Sequence, residues 1–284
     1  MNPPSRLGTE RTGAEMQGNQ NSGGAAVPDA RAFALSAIAQ LAACEDTAPG
    51  EDKLIYSLAR HSLHLSSLLE AKLNAQQAGR VLRKYRLVDP SPCRSLLAAA
   101  IETDSPDVLL RTLQYIEEVG PCDEGTLAAV RDVLGASSDV RIQSKAVLLI
   151  GKLHGNPDWA FHWARGRMQS TDSRIRANAV ECIWRLKGEK VRAFFQEASR
   201  DSNWRVKANA LIGLSFLGDE SAREELFIMI EHESEHFRAA AAFAIGMILD
   251  PSFLPQLTRC MGDESPSVRR NAFKAMQKLR CKPA

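Results

Sequence analysis

The stretch that decides the fold is DSNWRVKANALIGLSFLG, residues 201–218. Its apolar residues recur four, eight and eleven places after the first one, at Val206, Ala210, Leu214 and Leu217. This spacing puts them on one side of an α-helix, which completes a turn in about 3.6 residues. The polar residues 201–203 can cap the start of such a helix, and Gly218 can end it. The stretch therefore predicts an amphipathic helix with a defined start and stop.

The same pattern recurs along the chain. Matching segments begin at Ile142, Ile175, Val206, Phe237 and Val268, with starts 33, 31, 31 and 31 residues apart, and a weaker copy begins at Val108. After each segment comes a break rich in Gly, Pro or Asp, then a shorter apolar stretch. Each unit is thus a helical hairpin that cannot bury its apolar face alone, and stacking the units side by side solves this problem.

The units share an aspartate in the turn, then an apolar residue, Arg or Lys, two variable residues and Ala. Asp201–Ala210 and Asp263–Ala272 match this pattern best. It resembles the HEAT family, particularly the short repeats named after phycobilisome lyases, well over 92–280 and loosely over 30–90. The resemblance implies an all-α fold, a right-handed α-solenoid of stacked HEAT-like helical hairpins.

The rest of the chain is assigned by composition. Residues 1–29 contain almost no aliphatic residues and predict a disordered tail, 30–90 predict a helical region of degenerate repeats, and 91–284 predict the solenoid. The segment Leu41–Cys44 looks like a lipoprotein cleavage box, but some thirty polar residues precede it, and the question stays open. With no long apolar run and no CxxC pair, we expect a reduced, cytoplasmic protein without a membrane span.

No motif gives a convincing active site. His232–His236 reads HESEH and matches the zinc-protease pattern, but its register places it in a turn, with Ser234 capping the next helix. His61 and His64 lack a neighbouring acidic or cysteine ligand. We therefore predict no catalytic residue, no metal and no cofactor.

Deoxyhypusine hydroxylases have a similar architecture and carry iron on His-Glu pairs that follow the arginine of the second helix. The matching positions here are Ala177-Asn178, Ala208-Asn209 and Ala239-Ala240. The resemblance therefore does not extend to the iron site.

A candidate binding surface lies on the second helix of each unit. Counting the first apolar residue as position 0, positions 6 and 10 point away from the apolar stripe. In two adjacent units these positions hold Ile212, Phe216, Phe243 and Met247, and the flanking units contribute Glu181, Arg185, Lys274 and Lys278. An apolar patch rimmed by charge is typical of a protein-binding surface. The alternative is that the four apolar residues pack against the neighbouring unit.

Position 1 forms a basic ladder of Arg176, Lys207, Arg238 and Arg269. In HEAT families such residues bridge neighbouring repeats by bonding to turn acids, here Asp172, Asp201 and Asp263, and this is the role we favour. The alternative is a phosphate-binding stripe, as in HEAT-like DNA glycosylases, with tryptophans supplying aromatic contacts.

The function we predict is a non-enzymatic scaffold or adaptor that binds a protein of unknown identity on the concave face of the solenoid. Two alternatives remain, a nucleic-acid-binding module that uses the basic ladder and a HEAT-like enzyme that modifies a protein or attaches a chromophore.

Overall fold

A computed structural model of the chain describes residues 29–43, 50–60 and 64–281. Within these ranges all regular structure is helical. The helices are α1 (Ala30–Ala43), α2 (Glu51–Ala59), α3 (His64–Glu70), α4 (Ala75–Tyr85), α5 (Pro92–Glu102), α6 (Pro106–Val119), α7 (Glu124–Ala136), α8 (Val140–Leu153), α9 (Pro157–Arg167), α10 (Ser173–Glu181), α11 (Glu189–Ala198), α12 (Trp204–Phe216), α13 (Ser221–Met229), α14 (Glu235–Ile248), α15 (Leu254–Cys260) and α16 (Pro266–Cys281), and a short 3₁₀ turn, Pro251–Phe253, precedes α15.

The helices stack as hairpins in two rows. From α5 onward each odd-numbered helix packs against the even-numbered helix that follows it. The even-numbered helices α4, α6, α8, α10, α12, α14 and α16 also pack against one another in chain order, so they form one continuous row, which we call the inner row. We call the row of odd-numbered helices the outer row. The expected all-α solenoid is confirmed.

The inner row is held close by small side chains. The alanines at position 4, which are Ala146, Ala179, Ala210, Ala241 and Ala272, are all completely buried. Gly213 lies so close to the first helix of its hairpin that a Cβ atom there would be 2.5 Å from Cζ of Phe195. The predicted apolar stripe is therefore the packing surface between the two rows.

The breaks between helices are where the sequence places them. Gly155 and Gly218 have φ of 77° and 71°, the left-handed conformation that ends a helix. The next hairpin has Leu249 at the place of Gly218, with φ of 59°, followed by the expected Asp250-Pro251 break.

The helix starts differ in one detail from the expectation. Asn203 caps α12 by accepting hydrogen bonds from the N–H groups of Arg205 and Val206. Asp201, which the sequence offers as a capping residue, binds an arginine of the preceding hairpin instead. The third hairpin is also irregular, because α10 ends at Glu181 and residues 182–185 form turns.

Several expectations fall outside the described residues. These are the disordered tail, of which residues 1–28 are not described, and the cleavage box, because Cys44 is not described. His61 is likewise outside, and so is the side chain of His64. None of the described helices combines the length and apolar character needed to cross a bilayer.

Candidate protein-binding face

The candidate site lies on α10, α12, α14 and α16, four neighbours in the inner row. We use the name inner-row face for the surface formed by Trp184, Arg185, Phe216, Phe243, Met247, Lys274 and Lys278, together with Glu181. Two of the predicted residues are exposed apolar side chains, since Phe216 is 44% and Phe243 is 45% accessible to solvent. Met247 is half-buried.

The exposure expected for Ile212 is wrong. Its side chain is completely buried, because α12 lies between α10 and α14 and position 6 of this helix is covered by its neighbours. Ile212 belongs to the apolar core and cannot contact a partner. Leu148, at the same position in α8, is buried as well.

Trp184 belongs to the face, although the position-6 and position-10 rule omits it. Its ring packs edge-on against Phe216, with ring centroids 6.3 Å apart and an interplanar angle of 87°. Its Nε1–H donates a hydrogen bond of 2.7 Å to the backbone carbonyl of Asn209. This bond satisfies the polar end of the indole and holds the ring in place across two hairpins. The only sequence signal for Trp184 was a tryptophan near the end of the segment that begins at Ile175.

Two grooves run along the face. The larger, of about 670 Å³, extends from Glu117 on α6 and Lys152 on α8 to Trp184, Arg185, Phe216 and Met247. The smaller, of about 390 Å³, is lined by Phe243 together with Trp204, Arg205, His236 and Ala240. Glu181 lines both grooves.

The Glu181 carboxylate is held in an unfavourable environment. Burial raises its pKa above the ordinary value, and the positive charge of Arg205 only partly opposes this effect. No cation in the described part of the chain forms an ion pair with it. Glu117 on α6 provides the contrast, because hydrogen bonds from Lys145 and Lys152 outweigh burial and lower its pKa.

The exposed charged residues of the face are basic. Arg185 and Lys274 are exposed, and no acidic partner is found for either among the described residues. The Lys278 ammonium donates to the carbonyl of Gly246 at 3.3 Å and lies 3.7 Å from the sulfur of Met247. Helix α16 as a whole contains five basic and no acidic residues.

The basic ladder is largely engaged between repeats. Arg176 binds both carboxylate oxygens of Asp201, at 2.7 and 2.9 Å, and donates to two carbonyls of its own turn. Arg238 makes the same arrangement with Asp263, at 2.8 and 3.0 Å. Each arginine thus joins its hairpin to the next one through a charge-assisted, two-pronged bond.

The other two members of the ladder differ. Lys207 pairs with Glu225 on α13 at 2.8 Å. Arg269, in the last hairpin, donates to the carbonyls of Asp263 and Glu264 in its own turn. Asp172, the third turn acid, caps α10 instead, because the residue at position 1 of the preceding hairpin is Gln143.

Besides the basic ladder, the structure contains a ladder of asparagines that was not predicted from the sequence. The side-chain amides at position 3 donate to the position-2 carbonyl of the preceding second helix: Asn178 to Ser144, Asn209 to Ala177 and Asn271 to Ala239, at 2.8, 2.9 and 2.8 Å. Helix α14 has Ala240 at this position, and the smaller groove opens beside it. The repeated asparagine was visible in the sequence, but its partner is a backbone group 32 to 34 residues away.

The tryptophans of α9 are packed rather than free. Trp159 stacks on His154 with ring centroids 3.7 Å apart, and Trp163 donates its Nε1–H to the carbonyl of Val147. Arg167 covers the ring of Trp163 at 3.8 Å. These rings pack α9 against α8 and its C-terminal end.

The histidines of the HESEH segment lie on either side of a helix start, as its register predicts. Ser234 is the residue before α14, although its side chain makes no capping bond. His232 stacks on Phe237, and His236 stacks on Trp204. Across the described ranges, no group of three or more His, Cys, Asp or Glu side chains is arranged to hold a metal ion.

Comparison with known proteins agrees with the repeat assignment. The model of the HEAT repeats family matches residues 164–233 and 224–284. This part of the chain therefore consists of HEAT repeats. A search of curated protein sequences gave no match.

Comparison with solved structures gave distant similarities. Human deoxyhypusine hydroxylase in complex with glycerol is 14% identical, with a TM-score of 0.42, over 88% of this chain and 98% of that one. Two engineered proteins are each 13% identical, with TM-scores of 0.32 and 0.28. They cover 89% and 87% of this chain and 84% and 96% of their own lengths.

Proposed function

We propose that the chain is a non-enzymatic, cytoplasmic scaffold or adaptor that binds a protein segment on its inner-row face. The observation that carries the proposal is the pair of exposed phenylalanines, Phe216 and Phe243, beside grooves large enough for side chains. Exposed aromatic rings next to a preformed groove are the usual anchors of a protein interface. HEAT repeats supply a rigid row of helices on which such anchors keep their spacing. The free state of the described cysteines fits a reducing compartment.

The nucleic-acid alternative loses support from the ladder. Arg176 and Arg238 form ion pairs with Asp201 and Asp263, so little of their charge is left to bind a phosphate. Two of the tryptophans expected to contact bases, Trp159 and Trp163, are packed within the fold, as described above. Within the part of the chain that the structure describes, no metal-binding group of His, Cys, Asp or Glu supports an enzymatic role.

A double substitution tests the proposal. Phe216→Asp with Phe243→Asp places charge on the face where the rings are half exposed, so the fold should survive while partner binding is lost. Ile228→Asp is the matched control, because Ile228 is 66% exposed on α13, in the outer row. Affinity purification with quantitative mass spectrometry should recover a protein with the wild type and with the control, but not with the double variant. Recovery of the same proteins by all three chains, each with native helical content by circular dichroism, would refute the proposal.

A further inference from the structure

We infer that the segment bound by the inner-row face is an acidic peptide that carries an apolar anchor. This inference rests on the proposed function and specifies the chemistry of the partner. It follows from the charges around the two grooves and from the spacing of the helices.

The cations of the inner-row face that form no ion pair give it a positive charge. Arg185 lines the larger groove with Phe216 and Met247, Lys278 lies against the sulfur of Met247, and Lys274 is exposed one turn earlier on α16. No described carboxylate forms an ion pair with any of the three cations. Two acids line the larger groove: Glu117 is already paired with Lys145 and Lys152, and Glu181 has no ion pair among the described residues and a pKa raised by burial. A partner with carboxylates at its ends would complement these cations. Such complementarity of charge governs specificity and association rate at an interface.

The centre of the face favours an apolar side chain over a phosphate. Phe216, Trp184 and Met247 line the same groove, and the Trp184 N–H is already used within the fold. A phosphate placed there would lose its hydration against two aromatic rings and a thioether. An aromatic or aliphatic side chain would gain by burying apolar surface.

The spacing of the helices sets the pattern of the partner. Neighbouring helices lie roughly 8–10 Å apart, and an extended chain advances about 3.3 Å per residue. A peptide therefore needs about three residues to pass from one inner-row helix to the next. Crossing from Arg185 after α10 to Lys274 on α16 would take about nine residues, with the apolar anchor between the two acidic ends.

Selection from a random peptide library tests this inference. The purified protein, residues 1–284, is offered displayed random peptides of about twelve residues. We expect the enriched peptides to be negatively charged and to carry a Phe, Trp, Leu or Met between acidic positions. One enriched peptide, synthesised with a fluorophore, then serves as the probe for affinity measurements.

Charge reversal supplies the control. Lys274→Glu with Lys278→Glu should weaken binding of the probe about tenfold, because two attractive contacts become repulsive. Arg165→Glu changes an exposed cation on α9, in the outer row, and should leave the affinity unchanged. Circular dichroism confirms that each variant is folded.

The outcomes separate the two claims. Enriched peptides that are neutral or basic, or a probe insensitive to the reversal at Lys274 and Lys278, would overturn the inference but leave the proposed function standing. A failure to enrich any peptide, or equal binding by the Phe216→Asp, Phe243→Asp variant, would reject both. Displacement of the probe by a single-stranded or duplex DNA oligonucleotide at equal concentration would assign the cations to nucleic acid and overturn the inference.

Discussion

The bond between Arg238 and Asp263 should hold the last hairpin to the rest of the solenoid. The two residues lie 25 positions apart, in successive hairpins, and their side chains are only 18% and 12% exposed. Asp263→Asn is the informative change, because an asparagine can still accept the hydrogen bond that Asp263 receives from the N–H of Ser265. The substitution therefore removes charge and leaves the shape of the turn.

The free energy of unfolding that Asp263→Asn removes should lie between the values for an exposed and a buried ion pair. Exposed ion pairs contribute about 0–1 kcal/mol, whereas breaking a buried pair costs about 3–5 kcal/mol. After the substitution Arg238 keeps the two bonds from Nη1 to the carbonyls of His232 and Glu233, and only its Nε–H loses an acceptor. From this geometry we expect Asp263→Asn to cost about 2 kcal/mol, close to one charge-assisted hydrogen bond.

The loss should depend on pH. The hydrogen bond from Arg238 lowers the pKa of Asp263, and burial opposes it only in part. A carboxyl whose pKa is lower in the folded state stabilises the fold above its ordinary value, here 3.8, and loses that contribution as the pH falls through the folded-state value. Wild type and Asp263→Asn should therefore differ fully near pH 7 and converge in acid.

The assay combines urea unfolding with hydrogen exchange. A double-mutant cycle of Asp263→Asn and Arg238→Gln should give a coupling free energy of about 1–2 kcal/mol near pH 7. Repeat proteins unfold in parts, so amide exchange should rise mainly in α15 and α16. A coupling below about 0.3 kcal/mol, or faster exchange spread evenly over the chain, would refute the reasoning.

Three further changes test the packing and electrostatics of the inner row. Glu181→Gln should raise the free energy of unfolding near pH 7, because burial raises the pKa of this carboxyl and its ionisation above the ordinary value of 4.5 costs stability. The gain should vanish below pH 4.5, and a gain that persists in acid would contradict the assignment. Asn209→Ala should cost about 1 kcal/mol in urea unfolding, through the loss of its bond to the preceding repeat, and a neutral result would mean that the asparagine ladder adds nothing to stability. Gly213→Ala should lower stability by about 1–3 kcal/mol, because the new methyl group collides with Phe195. Its control is Gly166→Ala on α9, where the added methyl group meets open space and should raise stability by up to about 1 kcal/mol. Equal effects of the two substitutions would contradict the close approach of Gly213 to Phe195.

The repeat and its helices were predictable because they depend on local chemistry. The spacing from Val206 to Leu217 sets one apolar side of a helix, and Gly218 ends that helix by its own conformational freedom. Recurrence at a step near 31 residues then requires stacking, since no hairpin can bury its apolar side alone. The turn position of His232 and Ser234 followed from the same register.

The candidate site was predictable only in part. Helical periodicity placed Phe216 and Ile212 on the same side of α12, yet one is 44% exposed and the other fully buried. Periodicity gives the direction of a side chain from its own helix axis, whereas exposure depends on how the helices on both sides close over it. Trp184 entered the face because α10 ends early and its indole reaches the backbone of the next helix.

The amino-acid sequence by itself determined the helices, their order and the surfaces that must be buried within each hairpin, because these follow from contacts among residues close together in the chain. Only the tertiary structure decided which side chains remain open to a partner and which polar groups join one hairpin to the next. Asp201, a capping residue by sequence, became the acceptor for Arg176, and three asparagines found carbonyl groups in the preceding repeat. Those partners lie 25 to 34 residues away, and their geometry exists only once the hairpins are stacked.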